Sequence, residues 1–226
     1  MKQLAFDFSI STDPTLDNFV VGCNAELVER LSSLARGDRG ERFIYLWGAP
    51  GSGRTHLLRA AIAAFRRAGA AAEYRACTGD ADIVPALHEL RAVAIDDVDR
   101  LSGDGAVVLF NLYNVLRESG GVLIAAGSVA PAQLNLRADV ASRLAWGLVY
   151  EVRALSDAEK ARALAERAEA RGFTLQPDVS QYLLTHARRD MPALLATLDA
   201  LDRYSLEAKR PVTVPLLREL LAAAQK

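Results

Sequence analysis

Residues 43–55 read FIYLWGAPGSGRT, an apolar run that leads directly into a glycine-rich turn. The turn fits the pattern G-x-x-x-x-G-K-[ST], whose backbone amides surround the phosphates of a nucleotide, except that Arg54 replaces the lysine. The helical pattern HLLRAAIAAFRRAG follows at once. A strand, a glycine loop and a helix in this order predict a phosphate-binding loop, because a chance glycine turn lacks the flanking strand and helix.

The residue types of this loop suit a bound nucleotide. Glycines let the backbone curl so that successive N–H groups point inward, and the start of the following helix adds the positive end of its dipole. Thr55 is expected to place its hydroxyl on Mg²⁺. Arg54 keeps the positive charge of lysine, but its wide, planar guanidinium favours holding a nucleotide over hydrolysing it. The predicted nucleotide-binding residues of the loop are Gly48, Pro50, Gly51, Ser52, Gly53, Arg54, Thr55 and His56.

A second apolar run ends in paired carboxylates. Residues 93–101 read VAIDDVDRL, which is typical of the strand that holds magnesium and orients water beside a phosphate-binding loop. We expect Asp96 to contact the metal shell and Asp97 to polarise the attacking water. A solvated acidic loop is the alternative, but the apolar strand directly before the carboxylates favours the metal site.

Short apolar runs alternate with amphipathic stretches over the first two-thirds of the chain. Because parallel strands need helical crossovers, this alternation predicts an α/β fold with a parallel five-stranded sheet flanked by helices. The predicted strands are Phe43–Trp47, Glu73–Cys77, Val93–Asp96, Val122–Ala126 and Leu148–Val152. The predicted helical stretches lie near 25–36, 54–68, 82–90 and 106–118.

After Leu155 the pattern changes to helices without strands. Ser156 and Glu159 form a capping box, in which each side chain bonds the other residue's backbone amide at the start of a helix. The later boundary signals are Gly172 as a helix stop, Pro177 in a first turn, and Asp190 and Thr213 as N-caps. Residues 155–226 are therefore predicted to form a small all-helical domain.

Composition and charge limit the possible functions. About half of the 226 residues are apolar, and the net charge is −1, which argues against a sequence-independent grip on nucleic acid. Cys23 and Cys77 are far apart and have no metal-ligand spacing, so free thiols in a reducing cytosol are expected. We find no signal peptide and no apolar run of the ~18 residues that a membrane span needs, and expect a cytoplasmic protein without a membrane partner.

Several stretches together resemble the initiator-type AAA+ ATPases around DnaA. The resemblance is closer to the Hda family, the regulatory inactivators of DnaA, and it covers nearly the whole chain. The stretches that carry it, besides the glycine loop and IDD at 95–97, are LDNFVVG (16–22), QLNL (133–136), DVASRLAWG (139–147), LSDAEK (155–160), RGF (171–173) and TLDALDR (197–203). It implies an AAA+ domain followed by a helical lid.

The resemblance also implies roles for individual residues. Phe19 and Val20 match the segment on the adenine side of the nucleotide, with ADP or ATP and Mg²⁺ as ligands. Arg143 matches the arginine finger, which stabilises charge on a neighbouring subunit's nucleotide during phosphoryl transfer. An arginine in a salt bridge at a helix end is the alternative for Arg143.

Two positions depart from the family pattern. Ser128 stands where DnaA-like proteins have an acidic first sensor, and Pro192 stands where the lid's sensor arginine is expected. Pro192 cannot contact a phosphate, which leaves Arg188 or Arg189 as substitutes. Together with Arg54, these changes predict weak or no intrinsic ATP hydrolysis with retained nucleotide binding.

The N-terminal residues form a further motif. Gln3, Leu4, Phe6 and Phe8 resemble the peptide with which replication proteins dock on the β sliding clamp of DNA polymerase III, and Hda proteins have a similar element there. A glutamine that hydrogen-bonds and apolar groups that fill a pocket suit extended-peptide recognition. The alternation of apolar residues is also typical of an edge strand.

The sequence thus predicts an N-terminal clamp-binding peptide (1–10), an AAA+ nucleotide-binding domain (11–154) and a helical lid (155–226). The predicted function is a regulator at the replisome that docks on the DNA-loaded clamp, meets DNA indirectly through it, and promotes hydrolysis of DnaA-bound ATP. An autonomous ATPase of the helicase-loader or initiator type and a DnaA-related DNA-binding adaptor are the alternatives. The resident nucleotide and assembly into a homo-oligomer are left open.

Overall fold

The computed structural model of the protein describes residues 13–78 and 90–224. Within these residues the chain forms two compact units, Asp13–Ala154 and a second unit that begins at Leu155. The predicted clamp-binding peptide, with Gln3, Leu4, Phe6 and Phe8, lies outside the described residues, as do residues 82–89 of one predicted helical stretch.

The first unit is built on a parallel sheet, which confirms the predicted fold class. In the described part of the chain its strands are β1 Phe43–Trp47, β2 Ala72–Ala76, β3 Ala92–Asp96, β4 Val122–Gly127 and β5 Leu148–Glu151. They are arranged in the order β2-β3-β4-β1-β5, and every neighbouring pair is parallel. This order places β4 between β1 and β3, the two strands that lead into the glycine loop and the paired carboxylates.

Helices cover both faces of the sheet, as a parallel sheet requires. The helices of the described part of this unit are α1 Ala25–Ala35, α2 Arg54–Arg67, α3 Gly103–Ser119 and α4 Ala138–Trp146. Because side chains alternate along a strand, Ile44 and Leu46 of β1 pack in one core with α1 and α2. Phe43 and Tyr45 pack in the opposite core with α3 and α4.

Helix α4 was absent from the helices that the sequence predicted. It has only nine residues and ends at Trp146, and the next residue begins the turn into β5. A Cβ at Gly147 would collide with the backbone carbonyl of Phe43, so only glycine allows this turn to lie against β1. The sequence did not predict this helix, because it is short and its residues were interpreted only as a family motif. It buries Val140 and Leu144 against the sheet.

The second unit is all-helical in its described residues, as predicted. Its helices are α5 Asp157–Ala170, α6 Pro177–His186, α7 Met191–Ala208 and α8 Val214–Ala224. The predicted capping box is present, since the Glu159 amide donates to Ser156 Oγ at 3.2 Å and the Ser156 amide donates to Glu159 Oε2 at 2.8 Å. Asp190 caps α7 by accepting from the Ala193 amide at 3.0 Å.

This unit has an apolar core of its own, formed by leucines from all four helices. Leu164, Leu194, Leu198, Leu201 and Leu220 are completely buried in it. No helix in residues 13–78 or 90–224 is long and apolar enough to cross a membrane.

Candidate functional site

The glycine loop connects β1 directly to α2. Gly51 and Gly53 have φ angles of +80° and +105°, which side-chain-bearing residues rarely adopt. A Cβ at Gly48 would collide with the carbonyl of Val152, and a Cβ at Gly53 would lie 2.8 Å from the Phe19 ring. Since Gly53 precedes the first residue of α2 and has no side chain to cap it, the amides at the start of α2 are left for a ligand.

Two polar side-chain atoms of this loop are buried and have no hydrogen-bond partner in the described part of the chain. Among the described residues, no group forms a hydrogen bond with Ser52 Oγ or with Arg54 Nη1. Burying such groups without a partner costs free energy, so a ligand with acceptor oxygens would stabilise both. The loop therefore fits a phosphate group by its backbone shape and by its unused donors.

The carboxylate of Asp96, at the end of β3, lies next to the loop. Only 2% of Asp96 is exposed, and its Oδ2 accepts hydrogen bonds from Thr55 Oγ1 at 2.7 Å and Tyr74 OH at 2.9 Å. Within the described residues no cationic side chain forms an ion pair with it. A buried anion without a cation is costly, so a hard divalent cation fits beside Asp96 and the Thr55 hydroxyl.

Tyr74 was not predicted as part of this site. Burial and the neighbouring Asp96 carboxylate raise the pKa of Tyr74 to about 12, so its hydroxyl remains a donor at neutral pH. Arg59 of α2 lies over the Tyr74 ring at 4.8 Å. Tyr74 thus fixes the Asp96 carboxylate from β2, a contact between strands that sequence patterns do not report.

Asp97 has an unusual backbone conformation for a residue other than glycine. Its φ of 54° and ψ of 43° are left-handed, which aspartate tolerates better than most residues. Burial, followed by the charge of Asp96, raises the pKa of the Asp97 carboxyl, and Arg100 and Arg54 oppose this shift. Arg100 Nε lies 3.6 Å from Asp97 Oδ2. Strain at this position is consistent with a functional role for the carboxylate.

The predicted sensor Ser128 lies directly after β4. Its amide donates to Asp99 Oδ1 at 3.2 Å, and its hydroxyl donates to Asp99 Oδ2 at 2.8 Å. Asp99 comes from the short 3₁₀ turn Val98–Arg100 that follows β3. Asp99 was not predicted as part of the site, because its pairing with a residue so far away in the sequence depends on the sheet order.

The predicted adenine-side segment packs against the loop. The Phe19 ring lies beneath Gly53 and 5.5 Å from the His56 ring, while Val20 is half-buried in the same segment. His56 Nε2 bonds the Thr15 carbonyl at 3.1 Å, and burial lowers the His56 pKa, so the imidazole is neutral at physiological pH. Pro50 is exposed on the loop. The structure therefore assigns His56 a local packing contact within this segment.

Asn24 fixes this segment and was not predicted from the sequence. It is 5% exposed, and its side-chain amide donates to the carbonyls of Val21 and Arg153, each at 3.1 Å. Its Oδ1 accepts from the Arg153 amide at 2.9 Å. An asparagine before a helix normally predicts a cap, but this side chain binds the segment after β5 instead.

The predicted arginine finger lies on α4, in contact with α3. The Arg143 guanidinium stacks on the Phe110 ring at 3.8 Å, and Arg143 Nε donates to Asn114 Oδ1 at 3.3 Å. Trp146, one turn further along α4, is 61% exposed and lies 5.5 Å from the guanidinium. In the described residues Arg143 forms no ion pair with a carboxylate, in contrast to the alternative of a salt bridge at a helix end.

The two arginines considered as substitutes at the lid sensor bind carboxylates of their own unit. Arg189 Nη2 lies 2.7 and 2.6 Å from the two carboxylate oxygens of Asp157 and lowers the Asp157 pKa. Arg188 Nε donates to Asp190 Oδ2 at 3.2 Å. Pro192 lies in the first turn of α7, where its missing N–H costs no helical bond.

Comparison with solved structures defines the class of fold. AMPPCP-bound DnaA from Aquifex aeolicus is similar with a TM-score of 0.71 and 21% identity over 88% of this chain and 68% of that chain. Domain III of DnaA from Thermotoga maritima gives a TM-score of 0.73 and 19% identity over 94% and 97%. A variant of RuvB from Thermotoga maritima gives 0.65 and 15% over 92% and 72%. These matches show that the first unit has the fold of the AAA+ P-loop proteins, and that a helical lid follows it in the chain.

The lid gives a more specific comparison. Residues 157–221 match the family model of the Hda lid domain. The lid of this chain is therefore similar to that of the Hda family, which agrees with the resemblance seen in the sequence.

Proposed function

We propose that this protein binds an adenine nucleotide with Mg²⁺ in its glycine loop and promotes hydrolysis of ATP bound to DnaA. The match of the lid to the Hda lid domain and the DnaA-like fold support a DnaA-related regulator. Ser52 Oγ and Arg54 Nη1, which have no partner among residues 13–78 and 90–224, support a phosphate ligand. The similar DnaA of Aquifex aeolicus is bound to AMPPCP, a nucleotide analogue, on the same fold.

The loop and the neighbouring strands would have distinct parts in nucleotide binding. The amides at the start of α2, together with Ser52 and Arg54, bind phosphate oxygens. Thr55 and Asp96 would hold Mg²⁺, with Tyr74 orienting the carboxylate. When bound, the ion supplies positive charge that offsets the charge of the phosphates. The planar guanidinium of Arg54 would bind phosphate oxygens through two N–H groups in a fixed direction. This geometry favours retention of the nucleotide over its hydrolysis.

Hydrolysis is directed at the nucleotide of the partner. Arg143 has no carboxylate partner in the described part of the chain, and the Phe110 ring and Asn114 hold its guanidinium in one orientation. The exposed Trp146 beside it is the type of residue that anchors protein interfaces. We infer that this surface meets DnaA and that Arg143 stabilises charge developing on the ATP that DnaA holds.

The N-terminal peptide would bring this reaction to the replisome. Gln3, Leu4, Phe6 and Phe8 bind the β sliding clamp once it is loaded on DNA, which raises the local concentration of the protein near DnaA. The observation that carries the proposal as a whole is the match of residues 157–221 to the Hda lid domain.

The test measures the conversion of labelled ATP on DnaA to ADP, with and without this protein and DNA-loaded clamp. We expect conversion only when both are present. Replacing Gln3 and Phe8 together by alanine should abolish clamp-dependent conversion and leave nucleotide binding unchanged. Gln133→Ala, a glutamine exposed in a folded turn, is the matched control and should behave as the unchanged protein. Full conversion without the clamp would show that binding of the N-terminal peptide to the clamp is not required for the reaction.

An autonomous ATPase is the second candidate, because Thr55, Asp96 and Asp97 lie together at one edge of the sheet. In that case the isolated protein would hydrolyse ATP with Mg²⁺, and Asp97→Asn would lower the rate by roughly 10²- to 10⁴-fold, the usual contribution of a general base. Under our proposal the isolated protein is slow and Asp97→Asn leaves the rate unchanged. Single-turnover assays on both proteins, each at a concentration above that of ATP, distinguish the two functions.

A further inference from the structure

Two arginines lie at the edge where the strands of the sheet begin, opposite to the edge that carries the glycine loop and Asp96. Arg42 directly precedes β1, and Arg91 directly precedes β3. Strand β4 lies between these strands, and its first residues bond both arginines. The Leu123 amide donates to the Arg42 carbonyl at 3.0 Å, and the Val122 amide donates to the Arg91 carbonyl at 2.9 Å. The sheet order therefore places the two arginines on either side of the start of β4.

The two guanidinium groups converge on the turn between α3 and β4. A Cβ at Gly120 would lie 3.4 Å from Arg42 Nη1 and 3.6 Å from Arg91 Nη1, and the nearest atoms to that position all belong to these two groups. Arg91 Nη1 also donates to the Gly120 carbonyl. Two full positive charges from different strands thus meet over one glycine.

No carboxylate of the described chain neutralises this pair. Within residues 13–78 and 90–224 neither arginine forms an ion pair. The Glu41 carboxylate, next to Arg42 in the chain, instead accepts hydrogen bonds from the amides of Arg42 and Phe43 at 2.8 and 2.9 Å. The carbonyl end of α3 supplies only about half a negative charge. Because like charges in proximity repel each other, an external anion would stabilise both guanidinium groups.

The backbone of a nucleic acid suits this pair better than a protein carboxylate does. A guanidinium binds phosphate oxygens through pairs of N–H groups. Duplex DNA carries one negative charge per ~1.7 Å of helix axis, so neighbouring cations can each bind a phosphate, whereas one carboxylate neutralises only one of them. Arg91 is exposed, and Arg42 and Gly120 are half-buried, so this edge is open to a polymer.

We propose that Arg42 and Arg91 form a contact site for the phosphate backbone of duplex DNA. Two phosphate contacts give only weak binding, which agrees with the net charge of −1. The contact is therefore effective when the protein is already held close to DNA, where the local concentration of phosphate is high. This inference goes beyond the proposed function, in which the protein reaches DNA only through the clamp.

The test measures binding of the whole protein to a fluorescent DNA duplex by anisotropy, over a series of salt concentrations and without clamp or DnaA. We expect weak binding at low salt, with a plot of log affinity against log salt that has a slope of about −1.8, or 0.9 for each of two phosphates. Arg42→Gln and Arg91→Gln should each reduce the size of this slope by about one, and the double variant should bring it close to zero.

Matched variants separate the site from a general loss of charge. Arg36→Gln with Arg162→Gln removes two arginines whose side chains are 64% and 69% exposed elsewhere, and should leave the slope unchanged. Arg42→Lys with Arg91→Lys keeps both charges and should keep the slope. Thermal unfolding of each variant shows whether it is folded, and the single variants and the lysine pair provide the answer if the double glutamine variant is not.

Several results would overturn the inference. These are an absence of DNA binding by the unaltered protein at low salt, an unchanged slope in folded Arg42→Gln and Arg91→Gln, and an equal loss in the control pair. Weaker binding of the clamp or of DnaA with unchanged DNA binding would assign the arginines to an acidic protein surface instead. Loss of DNA binding on addition of ADP would place the DNA phosphate in the glycine loop. Because the assay contains neither DnaA nor clamp, its outcome is independent of the proposed function.

Discussion

Arg143→Ala is expected to lower the rate at which this protein promotes hydrolysis of DnaA-bound ATP by at least ~100-fold, since an arginine finger contributes roughly 10³- to 10⁵-fold to turnover. The guanidinium is held by the Phe110 ring and Asn114 and has no carboxylate partner in the described residues, so its removal leaves no buried charge unpaired there. Single-turnover conversion of labelled ATP on DnaA, with loaded clamp, measures the effect.

Matched variants separate this role from a general loss of positive charge. Arg143→Lys keeps the charge but loses the planar fork, and we expect it to restore only a small part of the rate. Arg36→Ala removes an arginine whose side chain is 64% exposed at the end of α1, and should have no effect. Undiminished conversion by Arg143→Ala, with normal nucleotide and clamp binding, would show that another group provides the trans contact.

Gly53→Ala is expected to weaken nucleotide binding roughly 10- to 150-fold, the equivalent of one lost charge-assisted hydrogen bond. The new Cβ would lie 2.8 Å from the Phe19 ring at a φ of +105°, so either the ring or the loop must move. Movement of the ring displaces the adenine-side segment, and movement of the loop displaces the amides that bind phosphate. Titration calorimetry with ADP measures the change directly.

Gly69→Ala is the control for the backbone strain alone. Gly69 follows α2 with a φ of +80°, and a Cβ there would meet nothing within 4 Å. Both substitutions cost about 1–2 kcal/mol of backbone strain, but only Gly53→Ala also crowds the site. If the two variants bound ADP equally well, the contact between Gly53 and Phe19 would have no part in forming the nucleotide site.

Much of the fold was predictable because apolar strands and helix signals are local. Phe43–Trp47 agrees with the structure at both ends, three other strands differ by one residue at one end, and Glu73–Cys77 is shifted by one residue from the observed Ala72–Ala76. The capping box at Ser156 and the cap at Asp190 were also correct, because such motifs depend on residues within one helical turn. Helix α4 was missed because its nine residues fall below the ~10–12 residues over which a helical pattern is readily distinguished from a short strand or loop.

The sequence predicted only those residues of the site that lie within sequence motifs. The sequence indicated that Thr55 and Asp96 belong to one metal site, and the structure places Thr55 Oγ1 2.7 Å from Asp96 Oδ2. The bonds from Tyr74 to Asp96 and from Ser128 to Asp99 join different strands and turns, so they depend on the sheet order. The order of the strands in the sheet cannot be read from any single stretch of sequence, so these contacts were found only in the structure.

The separate apolar core of the lid has a practical consequence. Leucines of α5, α6, α7 and α8 bury one another, and two ion pairs from Arg171 to Asp199 and Asp202 join α5 to α7 at 3.1 and 2.8 Å. A segment that buries its own apolar surface has the core of an independently folding domain. Exchanging the lid between relatives would leave the core around the sheet unchanged. Chimaeras can therefore assign a regulatory effect to the lid or to the sheet domain without unfolding either of them.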